Sequence, residues 1–229
     1  MTTYEFMESL ESRYRNATGL ENRSQYKIFY GAVVQAPILT LGINPGGDPL
    51  KTSSDGTAHD DGSIAAASAT YYENEEHDVL DCTWRENSGL LKILDPLTNF
   101  DRDRIRREVV KTNLAFRRSK KKKDIDIKAA IKECTPFLNE IIAVVKPKLV
   151  LLTGVAIEEF SKIYASNSRL VAEEERDPRV RQIVFSGVKA MLNATQDEVL
   201  IVQVAHASQF SWTYERYNVA ERIQQLCGS

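Results

Sequence analysis

The sequence predicts an α/β domain, with three layers, α/β/α, around a central, mainly parallel four-stranded sheet. Three observations lead there. Four short apolar runs, at residues 36–41, 109–114, 149–152 and 199–204, each stop at a turn or polar residue, as buried parallel strands do where they meet their loops. Segments with a helical apolar period alternate with these runs, and that alternation builds a parallel sheet covered on both faces. The 229 residues are 42% hydrophobic and 27% charged, enough apolar surface for one core, so residues 1–229 read as a single domain.

Taken in order, residues 3–22 carry Tyr4, Met7, Leu10 and Tyr14 three or four apart, the spacing of one helix face. Residues 1–30 are therefore expected to form an N-terminal helical extension on the domain's edge. The run 36–41 is the first core strand. From Gly46 to about Ser88 the chain is rich in Gly, Ser, Asp and Ala, and residues 47–88 read as a long insertion or lid that carries Tyr71, Tyr72 and Trp84. Helical character resumes at 89–94. The second strand, 109–114, delivers Asn113 at its end, and a basic run from Arg117 to Lys123 follows.

Ile131, Cys134, Phe137, Leu138, Ile141, Ile142 and Val145 repeat at the helix period, with Pro136 near the start and Lys146-Pro147 as the stop. The third strand, 149–152, breaks at Thr153-Gly154 into a helix over 155–164. Residues 173–178 read as a solvated loop, and 182–185 with 188–192 as a hairpin turning at Ser186-Gly187. The fourth core strand, 199–204, ends at His206, and 214–226 is the last helix.

Composition excludes several classes. No stretch approaches the roughly 20 apolar residues of a membrane span, and the polar, acidic start is unlike a secretion signal, so no membrane partner is expected. The expected location is the cytoplasm, or the nucleus of a eukaryote. Three cysteines without a Cys-x-x-Cys pair argue against a disulfide framework, a zinc ribbon and a four-cysteine iron–sulfur cluster. His59, Asp60, Asp61, His77, Asp78 and Cys82 are the one cluster of metal-capable types. Their spacing matches no motif, and a solvated acidic lid is the preferred reading over a metallohydrolase site, so no metal and no cofactor are expected. The net charge of −2 lacks the bulk basicity of a nucleic-acid binder, but charge is segregated: residues 55–81 are acid-rich and 102–123 hold the densest Lys and Arg.

In an open parallel sheet, ligands sit beyond the carboxyl ends of the strands, where Asn44, Asn113, Gly154 and His206 all fall. Singly, Asn44 reads as a turn residue, Asn113 as a helix cap, His206 as a hydrogen-bonded strand end, and Phe210 and Trp212 as packing aromatics. Together they resemble something specific. Gly42-Ile43-Asn44-Pro45-Gly46 resembles the first motif of the uracil-DNA glycosylase superfamily, in its mismatch-specific and single-strand-selective branches. His206-Ala207-Ser208-Gln209-Phe210-Ser211 is similar to its second motif, usually His-Pro-Ser-Pro-Leu-Ser, with Ala207, Gln209 and Phe210 as departures. Thr112-Asn113 and the Thr153-Gly154 turn are similar to its base-reading strand end and third-strand turn.

That resemblance implies a cofactor-independent hydrolase, a monomer acting on DNA, that flips a nucleotide out and cleaves its N-glycosidic bond to leave an abasic site. Asn44 is then expected to position the water and His206 to donate to the departing base oxygen. Asn113 would read the base edge beside Ile43, Gly46, Tyr71 and Tyr72. Gly47, Arg117, Lys120, Ser208, Gln209 and Ser211 would hold the DNA backbone, with Phe210 as the wedge in the vacated stack. Gly46 stands where uracil-selective relatives place an aromatic wall, which leaves room beside the 5-position of a pyrimidine. Uracil, a 5-substituted pyrimidine, and a bulkier hypermodified base removed in defence against foreign DNA all stay open. So does a catalytically weak or inactive member acting as a nucleic-acid- or protein-binding module.

Overall fold

In the computed structural model, which describes residues 1–20, 25–45, 78–82, 85–119 and 124–228, the apolar runs belong to one mixed, six-stranded sheet. Its strands are β1 (Ile38–Gly42), β2 (Val109–Asn113), β3 (Leu149–Thr153), β4 (Ala165–Arg176), β5 (Ile183–Leu192) and β6 (Glu198–Val204), in the spatial order β2-β1-β3-β6-β5-β4. The first four in that order run parallel, with Leu39 level with Val110 and Val150, and Leu151 level with Val202. β5 runs antiparallel to β6, and β4 antiparallel to β5.

The helices are α1 (Thr3–Thr18), α2 (Arg85–Leu97), α3 (Arg102–Glu108), α4 (Ile127–Val145), α5 (Ile157–Tyr164), α6 (Ala207–Phe210), α7 (Trp212–Arg216) and α8 (Val219–Gly228). Side chains alternate across each strand, so the sheet feeds two cores. Leu39, Leu41, Val150 and Leu152 pack with Leu10, Tyr14, Leu138 and Phe160 from α1, α4 and α5. Ile38, Leu149, Leu151 and Val202 pack with Leu90, Leu94, Ile105 and Ile223 from α2, α3 and α8. The helices start where local chemistry satisfies their free N–H groups. A reciprocal Thr2–Glu5 capping box opens α1, and Asp101 and Asp126 cap α3 and α4.

Several expectations are corrected. The sheet has six strands, not four, because β4 and β5 extend it as an antiparallel ribbon. Residues 173–176 lie in β4 rather than in a loop. β4 is an edge strand, largely exposed and with register shifts against β5, so it carries no buried alternation to mark it. Ser186-Gly187 is not a turn: β5 is continuous through it. A Cβ on Gly187 would meet the Ala172 Cβ of β4 at 3.4 Å, an ordinary van der Waals contact, so neither a turn nor close packing demands glycine here. Among the described residues of 1–30 the one α-helix is α1, and it buries Leu10 and Tyr14 completely. Residues 214–226 divide between α7 and α8. Of the insertion at 47–88, α2 takes residues from 85 onward and a 3-10 turn takes Asp78–Leu80; residues 47–77, 83 and 84 lie outside the described residues.

Candidate functional site at the strand ends

At the carboxyl end of the sheet, Gly42 of β1 is in register with Asn113 of β2. A Cβ on Gly42 would stand 2.5 Å from Asn113 Oδ1, a distance no real Cβ tolerates, so only glycine lets this amide lie across the strand end. Asn113 is 3% exposed, and its Nδ2 donates to Tyr30 Oη at 2.7 Å. Pairing continues past the strands: Leu114 N–H donates to Gly42 O, Ala115 N–H to Ile43 O and Ser119 N–H to Pro45 O. This zipper brings Asn44 against residues 117–119, where its Nδ2 donates to Ser119 Oγ at 2.9 Å and Pro45 O at 3.0 Å. Among the described residues Asn44 Oδ1 takes no hydrogen bond. Ile43 packs on the α1–α4 core.

Two strands away, Gly154 follows β3 with φ of +69°, and a Cβ there would lie 2.8 Å from His206 Cδ2. The αL turn and the missing side chain together make the seat for the imidazole. His206 caps α6, and its Nδ1 accepts from Ser208 N–H at 3.3 Å with Ser208 Oγ at 2.9 Å. A ring nitrogen that accepts a backbone N–H carries no proton, so the neutral ring holds its proton on Nε2, as a donor. Tyr214, pushed above its ordinary value by burial, stays protonated and donates to Ala205 O, which pins the strand end just before His206. Thr153 Oγ1 reaches Leu41 O at 3.4 Å and ties the two halves together.

Helix α2 crosses both halves. A Cβ on Gly89 would meet Ala207 O at 2.4 Å, so glycine is what allows α2 to rest on α6. That contact sets the first turn of α2 over β1 and β2. Glu86 Oε1 lies 3.8 Å from where a Gly42 Cβ would be, and 3.6 Å from Lys111 Nζ. Lys111 Nζ donates to Asn87 Oδ1 at 2.7 Å and sits 4.5 Å from the centre of the Tyr30 ring, while Lys27 Nζ lies 4.3 Å from the same ring. Lys27, Tyr30, Asn87, Lys111 and Asn113 are all buried. Sequence reasoning missed this cluster apart from Asn113. Its signal was Lys111, a cation inside an apolar strand and on the same face as Asn113.

The other expected residues are placed as follows. Arg117 holds Glu133 through Nε at 3.0 Å and Nη2 at 2.7 Å, and that carboxylate raises its guanidinium above the ordinary value. Gln209 is exposed, Ser211 is half-buried, and Phe210 is half-buried against Val180, Val184 and Ala205. Gly46, Gly47, Tyr71, Tyr72 and Lys120 lie outside the described residues. Among the described residues no group of three or more His, Cys, Asp or Glu side chains is placed to hold a metal ion, and no helix is long and apolar enough to cross a membrane. All three cysteines are free; burial pushes the Cys134 thiol up to about 12. No family model and no curated protein matches this chain.

Proposed function

We propose that this chain is a DNA glycosylase that hydrolyses the N-glycosidic bond of uracil or a 5-substituted pyrimidine in DNA, after flipping the nucleotide, and leaves an abasic site. The observation that carries the reading is a double one: the motif residues meet in pairs, Gly42 with Asn113 and Gly154 with His206, each glycine shaped to its polar partner. On this reading β2-β1-β3-β6 is the catalytic sheet of a uracil-DNA-glycosylase-like domain, and the β4–β5 ribbon is an addition. The protein works as a monomer in the cytoplasm or nucleus.

The residue types suit the chemistry. As the C1′–N bond breaks, its electron pair goes to the base and positive charge gathers on the sugar. His206 Nε2–H stabilises the anionic base oxygen as a neutral donor. Asn44 Oδ1 orients the water that attacks C1′, with catalysis resting on leaving-group stabilisation because an amide is no general base. Asn113 reads the base edge, and glycine rather than an aromatic residue at position 46 of the sequence extends the proposal to 5-substituted pyrimidines, up to the hypermodified bases of foreign DNA. No metal or cofactor enters the scheme.

A second reading has its own support. Arg117 is engaged by Glu133, Asn113 by Tyr30, and Phe210 by an apolar cluster, so three groups expected to meet DNA already have partners within the chain. This favours a nucleic-acid- or protein-binding module without turnover. Oligonucleotides carrying uracil, 5-hydroxymethyluracil or glucosylated cytosine, incubated with the protein and then cleaved at abasic sites, separate the two. Strand breaks are expected, reduced by about 100-fold or more in Asn44→Ala and His206→Ala, the size of losing one oriented transition-state contact. Binding without breaks on any base establishes the module. Breaks undiminished in both variants remove the proposed site.

A further inference from the structure

Beside the strand-end site, the loop between β4 and β5 meets the corner of α6 and α7. Asp177 opens the loop with its carboxylate fully buried, yet the two arginines that it holds are exposed, Arg179 at 55% and Arg216 at 52%. Its Oδ1 accepts from Arg179 N–H at 2.8 Å and Nε at 3.0 Å, and its Oδ2 from Arg179 Nη2 at 3.0 Å and Tyr217 Oη at 2.8 Å, with Arg216 Nε at 3.6 Å. Arg179 in turn sits over Trp212, its guanidinium carbon 4.4 Å from the ring centre. Trp212 is 37% exposed, so the indole is covered by a cation and still open to solvent.

The charge at this corner is one-sided. Arg181, also exposed, has no ion pair among the described residues, and the nearby carboxylates are taken: Glu174 by Arg176, Glu175 by Arg222 and Glu215 by Lys92. Two guanidinium groups, Arg179 and Arg216, therefore share one buried carboxylate, and Arg181 adds a third exposed cation to the same loop. The corner also joins the site: Gln182, at the end of the loop, accepts from His206 N–H at 3.4 Å, and Val180 packs with Phe210. A rigid indole with arginines locked beside it is the combination that binds single strands, one group stacking on a base while the others meet phosphates.

We propose that Trp212, with Arg179, Arg181 and Arg216, forms a stacking shelf for an unpaired nucleotide of single-stranded DNA next to the one held at His206. The choice of DNA rests on the glycosylase reading; the shelf itself is a binding surface and needs no turnover. Asp177 is the positioning residue, since it fixes the plane of the Arg179 guanidinium and so the face that Trp212 leaves free.

The test reads binding and excision separately. The protein has two tryptophans, Trp84 and Trp212, so the fluorescence quenching that disappears in Trp212→Leu belongs to Trp212. An oligothymidine of about a dozen nucleotides, within the span of single-strand sites, is titrated into the full chain. Saturable quenching is expected in the parent, and the anisotropy of an end-labelled copy of the same oligonucleotide, which reads binding without Trp212, should show affinity lowered about tenfold in Trp212→Leu. Arg179→Ala should reduce the slope of log affinity against log salt by about 0.7, the share of one phosphate contact on a single strand. Arg179→Lys should keep the slope and lose part of the affinity, because ammonium lacks the stacking plane. Circular dichroism checks that each variant is folded. Affinity in Trp212→Leu within twofold of the parent overturns the shelf, and so does the absence of any quenching. Quenching without excision supports the shelf and sinks the glycosylase reading; excision with no quenching does the reverse.

Discussion

Two glycines at the strand ends do different work from turn glycines elsewhere. Gly19 ends α1 with positive φ and open space around it. Gly42 and Gly154 instead face a polar side chain that a Cβ would displace. Gly42→Ala is expected to cost about 1–3 kcal/mol, the usual price of overpacking, and to swing Asn113 off the strand end. Denaturant midpoints measure the first effect and excision rates the second, with a larger proportional loss in rate than in stability. Gly154→Ala adds backbone strain of about 1–2 kcal/mol to its clash with His206. The motif strings made both glycines visible in the sequence, but their partners lie 71 and 52 positions away, and no local pattern announces such a contact. Lys111 was less visible still, because one cation in an apolar run reads as noise until Asn87 and Glu86 are seen to reach it.

At the level of elements, legibility followed burial. β1, β2, β3 and β6 are buried along nearly their whole length, and all four stood out as apolar runs. β4 hides because its residues face water on an edge, where polar side chains serve as well as apolar ones. In β5, Gly187 mimicked a turn because Ser-Gly has the composition of one, although here the glycine pairs with Val202 in mid-strand. The seat of α2 depends on Gly89 against α6 and on Lys111 beneath its first turn. Lys111→Leu should fold but lose about 1–3 kcal/mol, since the buried hydrogen bond from Lys111 Nζ to Asn87 Oδ1 is removed. Adding Asn87→Leu to it should recover part of that loss, which a double-mutant cycle of unfolding free energies would measure. Full additivity of the two losses would show that the pair does not interact.

Across the whole molecule, a sheet that buries apolar side chains on both faces carries its polar chemistry at one end, and Asp177 joins the ribbon to that end. Arg179 and Tyr217 hold the carboxyl well below the ordinary carboxylate range, with the Arg179 side-chain hydrogen bonds the largest cause. A depressed carboxyl stabilises the fold above its unfolded value, near about 3.9, and that contribution drains away as the pH falls through the folded value. Acid unfolding of Asp177→Asn should therefore lack this part of the pH dependence while stability at neutral pH falls; parallel unfolding curves for parent and variant below about pH 4 would contradict it. The ribbon has a geometric meaning too. β6 rises to His206, β5 descends from beside it and β4 climbs back, so the loop from Asp177 to Gln182 returns to the chemical end of the sheet. Two residues added to or removed from each of β4 and β5, beyond the Phe185–Val204 pair, would carry that loop along the strand axis by about 7 Å. On the proposed function the ribbon is a ruler: its length would set how far from the reacting sugar a neighbouring nucleotide is grasped, and it could be recut without altering β1, β2, β3 or β6.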